Sequence, residues 1–510
     1  MNRNKALSSL PILLLAALSL ASCSGPKTTT GCTVNCGNGS VAVTMVADTL
    51  PASPSLLTFQ VTIASIKFTT SSGTSTTVNL NPALTVDLMR LQTDTVFLGL
   101  FPNIPSAQYV SATLFLSGNA NITFLNDTGF TLSGCLTSHV CPLSVAVSSN
   151  PVATVSFTVS QNAVSGIGID LNLFNTVSIS GTPANLVVNF NNANVLTAFT
   201  LPRPNSNLAA GQLDLIEDFT GVVTINSQSV TLASAPVTGR GSLTASATST
   251  TFYDPDPTLT LCLTATTLAS CVSNNQVASM DVILKSDGTF AIQEIEPLLA
   301  TAQDNVEGIV VSINPNNLTQ FTLVVTNLIP AAQSSLIGSL RIGDALTVNL
   351  ANLFSPFWVD TKGLPVRINF ASIFPNFFGQ TNTSAIHLGQ VVAVHATAPF
   401  TAALGGTIAS SFADTVTLRW SRFTGTLQTA SSPAFNLASL PFYFGIPQGT
   451  PLQVQTFLAT SGSPRVTNFD GVLDGSGLLI ARPVGIRALF LENTTNSANP
   501  VFFAAKVRQH

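Results

Sequence analysis

The feature that most constrains the fold is an alternation of apolar and polar residues that recurs along most of the chain. In residues 167–173 every second position is Ile or Leu, and the positions between them hold Gly, Asp and Asn. Residues 110–116 and 155–159 alternate in the same way. Successive side chains of a β-strand point to opposite faces, so this pattern predicts strands with one buried face. Because no window sustains a helical period, we expect an all-β protein.

The phase of the alternation changes once inside a long predicted strand. Residues 59–63 place Phe, Val and Ile on one face, whereas Ile66 and Phe68 fall on the opposite parity. An extra residue in one strand of a pair restores such side chains to a common face. The sequence therefore predicts a β-bulge near Ala64 and Ser65.

Composition supports this fold class and limits the partners. Only 8% of the residues are charged, against about 25% in ordinary soluble proteins. The net charge is −4 and the 18 Lys and Arg residues are scattered, which excludes the basic patch that a nucleic-acid partner needs. At about 100–200 residues per domain, this length predicts three or four domains. We expect several antiparallel β-sandwich or small barrel domains in tandem, after a signal peptide and a flexible tether.

The first residues have the features of a secretory signal. Two basic residues precede the apolar run Leu10–Leu20, which is too short for a bilayer core that needs about 20 residues. The run ends in Leu20-Ala21-Ser22-Cys23, which resembles the lipobox of bacterial lipoprotein signal peptides. The resemblance implies cleavage before Cys23 and lipidation of its thiol. An ordinary signal peptide with an unmodified cysteine is the alternative.

These features also predict where the chain works. Residues 1–22 are the expected lipoprotein signal peptide, and residues 23–40, rich in Gly, Thr and Asn, are the expected lipid-anchored tether. In the family that the lipobox resembles, Asp after the cysteine favours the inner membrane, whereas Ser24 follows here. We therefore expect export and a lipid anchor in the outer membrane or at the cell surface, so that the membrane is a partner through that anchor.

Beyond the tether, several short motifs occur in a fixed order. They are Val41–Asp48, Pro51, Phe59–Ile63, Val86–Leu88 and Tyr109–Leu114. Their order resembles a domain of unknown function that follows the lipobox in many bacterial surface lipoproteins. The resemblance covers roughly residues 41–200 and implies a surface β-sandwich, with no catalytic residues to transfer.

A weak internal repeat follows a Pro- and Asn-rich linker at 201–211. Each copy is a glycine-led apolar strand, a polar turn and a second strand, with starts about 90–100 residues apart. The copies are Gly221–Ile225 with Val230–Leu232, Gly308–Ile313 with Phe321–Leu323, and Gly406–Ile408 with Val416–Leu418. They resemble small β-barrel modules that follow the first domain in similar lipoproteins, and unrelated hairpins are the alternative. We expect β modules at 211–300, 301–400 (small and barrel-like) and 401–510.

The seven cysteines are consistent with export. Assigning Cys23 to lipid leaves three local pairs, which an oxidising compartment would allow to close. The pairs are Cys32 with Cys36, Cys135 with Cys141, and Cys262 with Cys271. No pair has the third and fourth ligand that zinc requires, so we predict disulfides.

The sequence contains no catalytic motif of the kinds GxSxG, HExxH or Walker A. Acidic residues cluster at 214–218 and again at 281–296, where a pair of glycosidase acids is not excluded. Asp254 and Asp256 are weak calcium candidates because both carboxylates lie in one loop. The alternative is a proline-rigidified, solvated turn, and we expect no cofactor.

Trp358 and Trp420 are candidates for a binding face, because amphipathic aromatic residues favour sugar and protein contacts; burial in the core is the alternative. The sequence thus favours a non-catalytic binding, adhesion or presentation role at the cell envelope, with a glycan or envelope protein as partner. A hydrolase acting on polysaccharide and a structural subunit of an envelope assembly are the alternatives.

Overall fold

A computed structural model describes most of the chain from Gly37 onward. The described residues are 37–49, 51–147, 149–234, 240–254, 262, 265–299, 305–329, 340–351, 356–364, 376–397, 408–450, 452–458, 466–491 and 501–510. Their structure is nearly all β, which confirms the predicted fold class. Within these ranges, no helix has both the length and the apolar character needed to cross a bilayer.

The N-terminal unit is a sandwich of two sheets. Its strands are β1 (Asn38–Asp48), β2 (Ser55–Thr70), β3 (Ser75–Asp87), β4 (Val96–Pro105), β5 (Ala107–Leu125), β6 (Val140–Ala146), β7 (Val152–Val159), β8 (Val164–Asn172), β9 (Val177–Ser180), β10 (Asn185–Val188) and β11 (Leu196–Thr200). One sheet has the order β11-β8-β1-β4, and the other has β3-β2-β5-β6 with β7 also paired to β5. The hairpin β9–β10 forms a separate two-stranded sheet. A single turn of helix, α1 (Leu173–Thr176), connects β8 to β9.

The alternating side chains predicted to face inward do form the sandwich core. Phe59, Ile167 and Ile169 are fully buried between the sheets. The predicted bulge is also confirmed, because the register of β2 shifts between Ile63 and Ser65 against both neighbouring strands. One feature departs from an antiparallel meander: β1 and β8 pair in parallel.

Three six-stranded barrels follow the sandwich. The first contains β12 (Gln212–Asn226), β13 (Ser229–Ala233), β14 (Ser242–Ser246), β15 (Phe252–Tyr253), β16 (Val277–Lys285) and β17 (Phe290–Leu299). The second contains β18 (Asn305–Ile313), β19 (Gln320–Ile329), β20 (Ala345–Leu350), β21 (Trp358–Val359), β22 (Val391–Ala396) and β23 (Ala409–Arg419). The third contains β24 (Ser421–Thr429), β25 (Ala434–Ser439), β26 (Leu452–Gln455), β27 (Asn468–Asp470), β28 (Pro483–Leu491) and β29 (Val501–Gln509).

All three barrels have the same topology. The strand order is third, second, first, fifth, sixth, fourth, and the third strand pairs with the sixth to close the barrel. The closing pairs are parallel in every barrel, as are the pairs between the fourth and sixth strands. Closure leaves few open sheet edges. Each interior is filled by an apolar cluster that also takes in residues of a neighbouring unit, such as Ala42 in the first barrel and Leu489 in the second.

A glycine in the first strand explains the repeat seen in the sequence. A Cβ at Gly221 would lie 2.6 Å from the Ala233 backbone, and one at Gly308 would lie 2.4 Å from the Val324 carbonyl oxygen. Gly425 of β24 is the third copy, since its Cβ would lie 2.9 Å from Leu437 of β25. The first strand can approach the second this closely only where a side chain is absent.

The third copy of the repeat was therefore assigned wrongly from sequence. Val416–Leu418 belongs to β23, the sixth strand of the second barrel, and Ile408 directly precedes that strand. The same strand shows that the boundary predicted at residue 400 is wrong, because the second barrel ends at Arg419. Gly406-Thr-Ile resembles a first strand only because short glycine-led β motifs are common.

Candidate functional site

The charged residues of this protein are concentrated in its interior. The chain has 18 Lys and Arg and 22 Asp and Glu residues, and 18 of these charged side chains are buried in the described structure. Charged residues are rarely buried unless they are paired. The buried acids are Asp87, Asp94, Asp170, Glu217, Asp218, Asp254, Asp281, Glu294, Glu296, Glu307 and Asp360, and the buried bases are Arg90, Lys362, Arg419, Arg422, Arg487, Lys506 and Arg508.

Ten of these side chains form one connected set of ion pairs, which we call the ionic centre. The sandwich, the first barrel and the second barrel contribute several members each, and the third barrel contributes Arg422. The members are Arg90, Asp94, Asp218, Asp281, Glu296, Glu307, Asp360, Lys362, Arg419 and Arg422. The ionic centre therefore lies where all four β units meet.

The repeated topology places the charges at equivalent positions. Asp254, Asp360 and Asp470 each end or directly follow the fourth strand of a barrel. The Asp254 N–H donates to the Ile295 carbonyl (2.9 Å), and the Asp360 N–H donates to the Leu418 carbonyl (3.0 Å). Asp470 lies opposite Arg508 in the corresponding register. Each barrel thus presents a carboxylate at the same end of its sixth strand.

The residue beside this carboxylate differs between barrels, and the difference joins them. In the second and third barrels the sixth strand supplies an arginine, which pairs with Asp360 or Asp470. In the first barrel the sixth strand supplies Glu296, whose pKa is raised by burial and by the nearby acids. Arg419 of the second barrel approaches Glu296 to 3.5 Å. Glu296 of the first barrel is therefore paired with an arginine of the second barrel.

Asp218 is the member with the most partners. Its carboxylate lies 3.0 Å from Arg90 of the sandwich, 3.3 Å from Lys362 of the second barrel and 2.5 Å from Arg422 of the third barrel. Ser279 also donates to it, at 2.8 Å. Burial alone would raise the pKa of Asp218, but Lys362, Arg422 and Arg90 hold it well below its usual value.

Local backbone geometry places Asp218 in the centre. The register between β12 and β16 shifts between Ile216 and Phe219, and Asp218 has a left-handed backbone with φ of 55°. Asp tolerates this conformation better than most residues. The Asp218 N–H donates to the Asp281 carboxylate at 2.7 Å, which holds the bulge in place.

Arg422 links three units through one guanidinium. Its Nε donates to Asp94 of the sandwich (2.6 Å) and its Nη2 to Asp218 of the first barrel (2.5 Å). Its Nη1 lies 3.6 Å from Glu307 of the second barrel. A planar fork of five donors can satisfy several acceptors at once, which an ammonium group cannot do with the same geometry.

A second group of contacts attaches the third barrel to residues 90–95 of the sandwich. Arg508 donates to the carbonyls of Leu91 (3.0 Å) and Asp94 (3.2 Å) and to the Thr95 hydroxyl (2.9 Å). Lys506 pairs with Glu217 of the first barrel. Burial raises the pKa of Glu217, to about 7. The Thr95 N–H donates to the same Glu217 carboxylate (3.3 Å), so side chains from two barrels hold the segment between β3 and β4.

The sign of the buried charges differs between barrels. All six charged side chains that the first barrel buries are acidic, and all four that the third barrel buries are basic, within the part of the chain that the structure describes. The second barrel buries two of each sign. Opposite charges attract strongly in a low-dielectric interior, so the distribution favours this arrangement of the three barrels.

The ionic centre is suited to joining units. Its carboxylates are paired with guanidinium and ammonium groups, in contacts that a substrate or metal ion would have to break. A cavity beside it, lined by Asp87, Arg90, Trp420 and Arg422 among others, measures about 20 Å³, which is room for about one water molecule. Among the described residues, no group of three or more His, Cys, Asp or Glu is placed to hold a metal ion.

Comparison of the chain with family models, with curated proteins and with solved structures found no match.

The structure places the cysteines predicted from sequence as follows. Cys135–Cys141 and Cys262–Cys271 are disulfides, as predicted. Cys23, Cys32 and Cys36 lie outside the described residues, so their lipidation and pairing stay predictions.

The remaining candidate residues, two tryptophans and two aspartates, do not form a common site. Trp420 is 1% exposed and lies under the Arg487 guanidinium, 5.4 Å away, so it belongs to the core and not to a binding face. Trp358 is half-buried against Phe378. Asp254 is buried at the repeat position described above, and Asp256 lies outside the described residues.

The ionic centre as a whole is absent from the sequence-based predictions. The acidic clusters are among the predictions, but the Lys and Arg residues are described there only as scattered along the chain. A usable signal was present: Glu217 and Asp218 lie between Ile216 and Phe219, and Arg419 lies between Leu418 and Trp420. A charge inside an apolar run of a strand indicates a buried pair.

Proposed function

We propose that this chain is an exported, lipid-anchored protein of the bacterial cell envelope that serves as a rigid, non-catalytic binding or presentation body. The ionic centre carries the proposal. Because its paired side chains come from four β units, no unit can move away without leaving charges unpaired in a low-dielectric interior. The outer faces of the four units are therefore held in one fixed arrangement, which suits the display of an extended surface.

The chemistry of that surface favours an uncharged partner. Since many of the charges are internal, exposed strand faces carry mainly hydroxyl and amide groups. Thr231 and Thr244, for example, are hydrogen-bonded to each other across β13 and β14 on an exposed face (2.7 Å). Rows of this kind match the hydroxyl groups of a neutral polysaccharide, which we take as the partner.

The proposed location has support from the cysteines. Local disulfides such as Cys135–Cys141 are typical of oxidising compartments outside the cytoplasm. Mass spectrometry of the native protein tests the anchor directly: we expect an N-terminal peptide that begins at a lipid-modified Cys23. A Cys23→Ser variant should leave the membrane fraction. An intact leader with an unmodified cysteine would contradict this part of the proposal.

Binding is tested with the chain from Ser24 to His510, which retains every described residue. We expect it to retain neutral envelope polysaccharides in a pull-down and to release them intact. Shortened products that form with time would instead favour a hydrolase. Stoichiometric co-purification of other envelope proteins, without glycan, would favour a structural subunit. Retention of neither class of partner would contradict the proposal.

A further inference from the structure

A second cavity, of about 330 Å³, lies in the sandwich where it approaches the third barrel. It is lined by the loop between β1 and β2, by Met89 and Gln92, by α1 and the β9–β10 hairpin, and by Pro441 of the third barrel. The volume equals that of roughly eleven water molecules at about 30 Å³ each. It falls within the range of about 300–1,000 Å³ that is usual for small-ligand sites.

The lining selects against charged ligands. Of the fifteen described residues that line the cavity, none is charged and ten are apolar. Three of the five polar residues are hydrogen-bonded within the protein. Ser53 and Ser55 donate to Asp127, at 2.5 and 2.6 Å. Gln92 is hydrogen-bonded at both ends of its side-chain amide. A ligand that carries a charge would lose its hydration here without gaining a partner.

One wall of the cavity is an incompletely buried apolar surface. The β9–β10 hairpin belongs to neither sheet of the sandwich. Val177, Ile179 and Leu186 line the cavity but are only half-buried, whereas Val187 points to the other face of the hairpin and is exposed. A two-stranded hairpin is marginally stable unless its apolar face is covered. An apolar ligand in the cavity would complete that cover.

We propose that this cavity binds the aliphatic chain of a neutral single-chain lipid, such as a monoacylglycerol, with its polar head at the opening. An aliphatic chain fits better than a ring, because Phe174 is the one aromatic residue among the described residues of the lining and is 59% exposed. Asp127, next to Ser53 and Ser55, disfavours an anionic head. The site is separate from the polysaccharide-binding surface proposed above and does not depend on it.

Calorimetric titration of the Ser24–His510 chain with hexanoyl, octanoyl and decanoyl glycerol, each below its micelle-forming concentration, tests the proposal. Burial of a methylene group predicts roughly fourfold tighter binding per added methylene until the cavity is filled. Decanoate, which has the same chain and an anionic head, should bind at least tenfold more weakly than decanoyl glycerol. No saturable binding of decanoyl glycerol, no dependence on chain length, or equal binding of decanoate would overturn the proposal.

Two substitutions on opposite faces of β10 locate the site. Leu186→Asp puts a charge on the cavity wall and should weaken decanoyl glycerol binding at least tenfold. Val187→Asp adds the same charge on the exposed face and should change binding less than twofold. Equal loss in both variants would place the lipid elsewhere.

A second pair of substitutions tests the same site if the Leu186→Asp variant does not fold. Ala52→Trp places an indole at the cavity, and Ala146→Trp places one on the exposed end of β6. Only Ala52→Trp should reduce binding. Unchanged binding in Ala52→Trp, with unchanged melting temperature, would contradict the assignment.

Discussion

Asp218 combines two features that are each unfavourable alone, a left-handed backbone and a fully buried carboxylate. Left-handed backbone geometry away from glycine is uncommon and often marks a functional constraint. Here it directs one carboxylate toward cations from three other units. The residue therefore joins the units to one another as well as making contacts within its own barrel, where Ser279 donates to it.

Replacing Asp218 by Asn tests this role. The amide keeps the shape but removes the charge, which leaves Arg90, Lys362 and Arg422 with too little compensation. Breaking a buried pair costs about 3–5 kcal/mol, and we expect a loss of that size in the free energy of the first unfolding transition in a urea titration. The control, Asp287→Asn in an exposed turn, should cost less than about 1 kcal/mol. Equal effects would contradict the role of Asp218.

Glu217 predicts a dependence of stability on pH. Its pKa is raised from 4.5 to about 7 in the folded protein, so between these values the folded state holds a proton that the unfolded state has lost. Stability should therefore fall as pH rises from about 4.5 to about 7. Below about pH 4 stability should fall again, because the lowered pKa values of Asp94 and Asp218 make protonation of these groups unfavourable in the folded state.

Glu217→Gln isolates the first of these effects, because glutamine retains the neutral form at every pH. Urea titrations at pH 5 and pH 8 should show a smaller difference in unfolding free energy for this variant than for the native chain, by roughly 1–3 kcal/mol. Asp287→Asn, whose native carboxyl has a lowered pKa, should leave the difference unchanged. An identical difference in all three proteins would rule out Glu217 as the cause.

The first strand of each barrel depends on a glycine for its close approach to the second strand. Gly308→Ala would place Cβ 2.4 Å from the Val324 carbonyl oxygen. The backbone of β19 cannot shift away without disturbing its hydrogen bonds to the neighbouring strands of the closed barrel. We expect a loss of about 1–3 kcal/mol in the free energy of unfolding, seen as a fall in melting temperature. Gly477→Ala, where the added Cβ meets Val472 at an ordinary 3.6 Å, should change stability by less than about 1 kcal/mol. A tolerated Gly308→Ala would show that the close approach is not required.

The strands also show how much of the fold could be predicted from the sequence. The alternation within a strand of the sandwich indicates which face is buried. Phe59, Ile167 and Ile169 could therefore be assigned to the core, and the bulge after Ile63 could be placed. Strand partners carry no such local signal. The parallel pairing of β1 with β8, and the parallel closure of each barrel, depend on chain paths through many residues and were not predicted.

The candidate site was out of reach for a related reason. Asp218 and Arg422 are 204 residues apart, and each is an isolated charge in its own strand. Their meeting requires three barrels to fold and pack in one arrangement, and nothing in the spacing of the residues predicts that packing. The acidic half of the centre could be noticed as a cluster along the chain, whereas the basic half comes from many separate segments.

For the whole molecule, the interior holds more acids than bases. Eleven acids and seven bases are buried in the described structure. Burial raises the pKa values of four of these acids, Asp87, Asp170, Glu217 and Glu296. Raised pKa values favour the neutral carboxyl, which reduces the excess of buried negative charge.

If the ionic centre unites four β units into one body, the units unfold together, and differential scanning calorimetry of the Ser24–His510 chain measures whether they do. Unfolding of one unit would leave buried charges in the other units unpaired. We therefore expect the native chain to melt in a single cooperative transition at pH 7. Asp218→Asn should separate that transition into at least two. Independent melting of the sandwich and the barrels in the native chain would contradict the account.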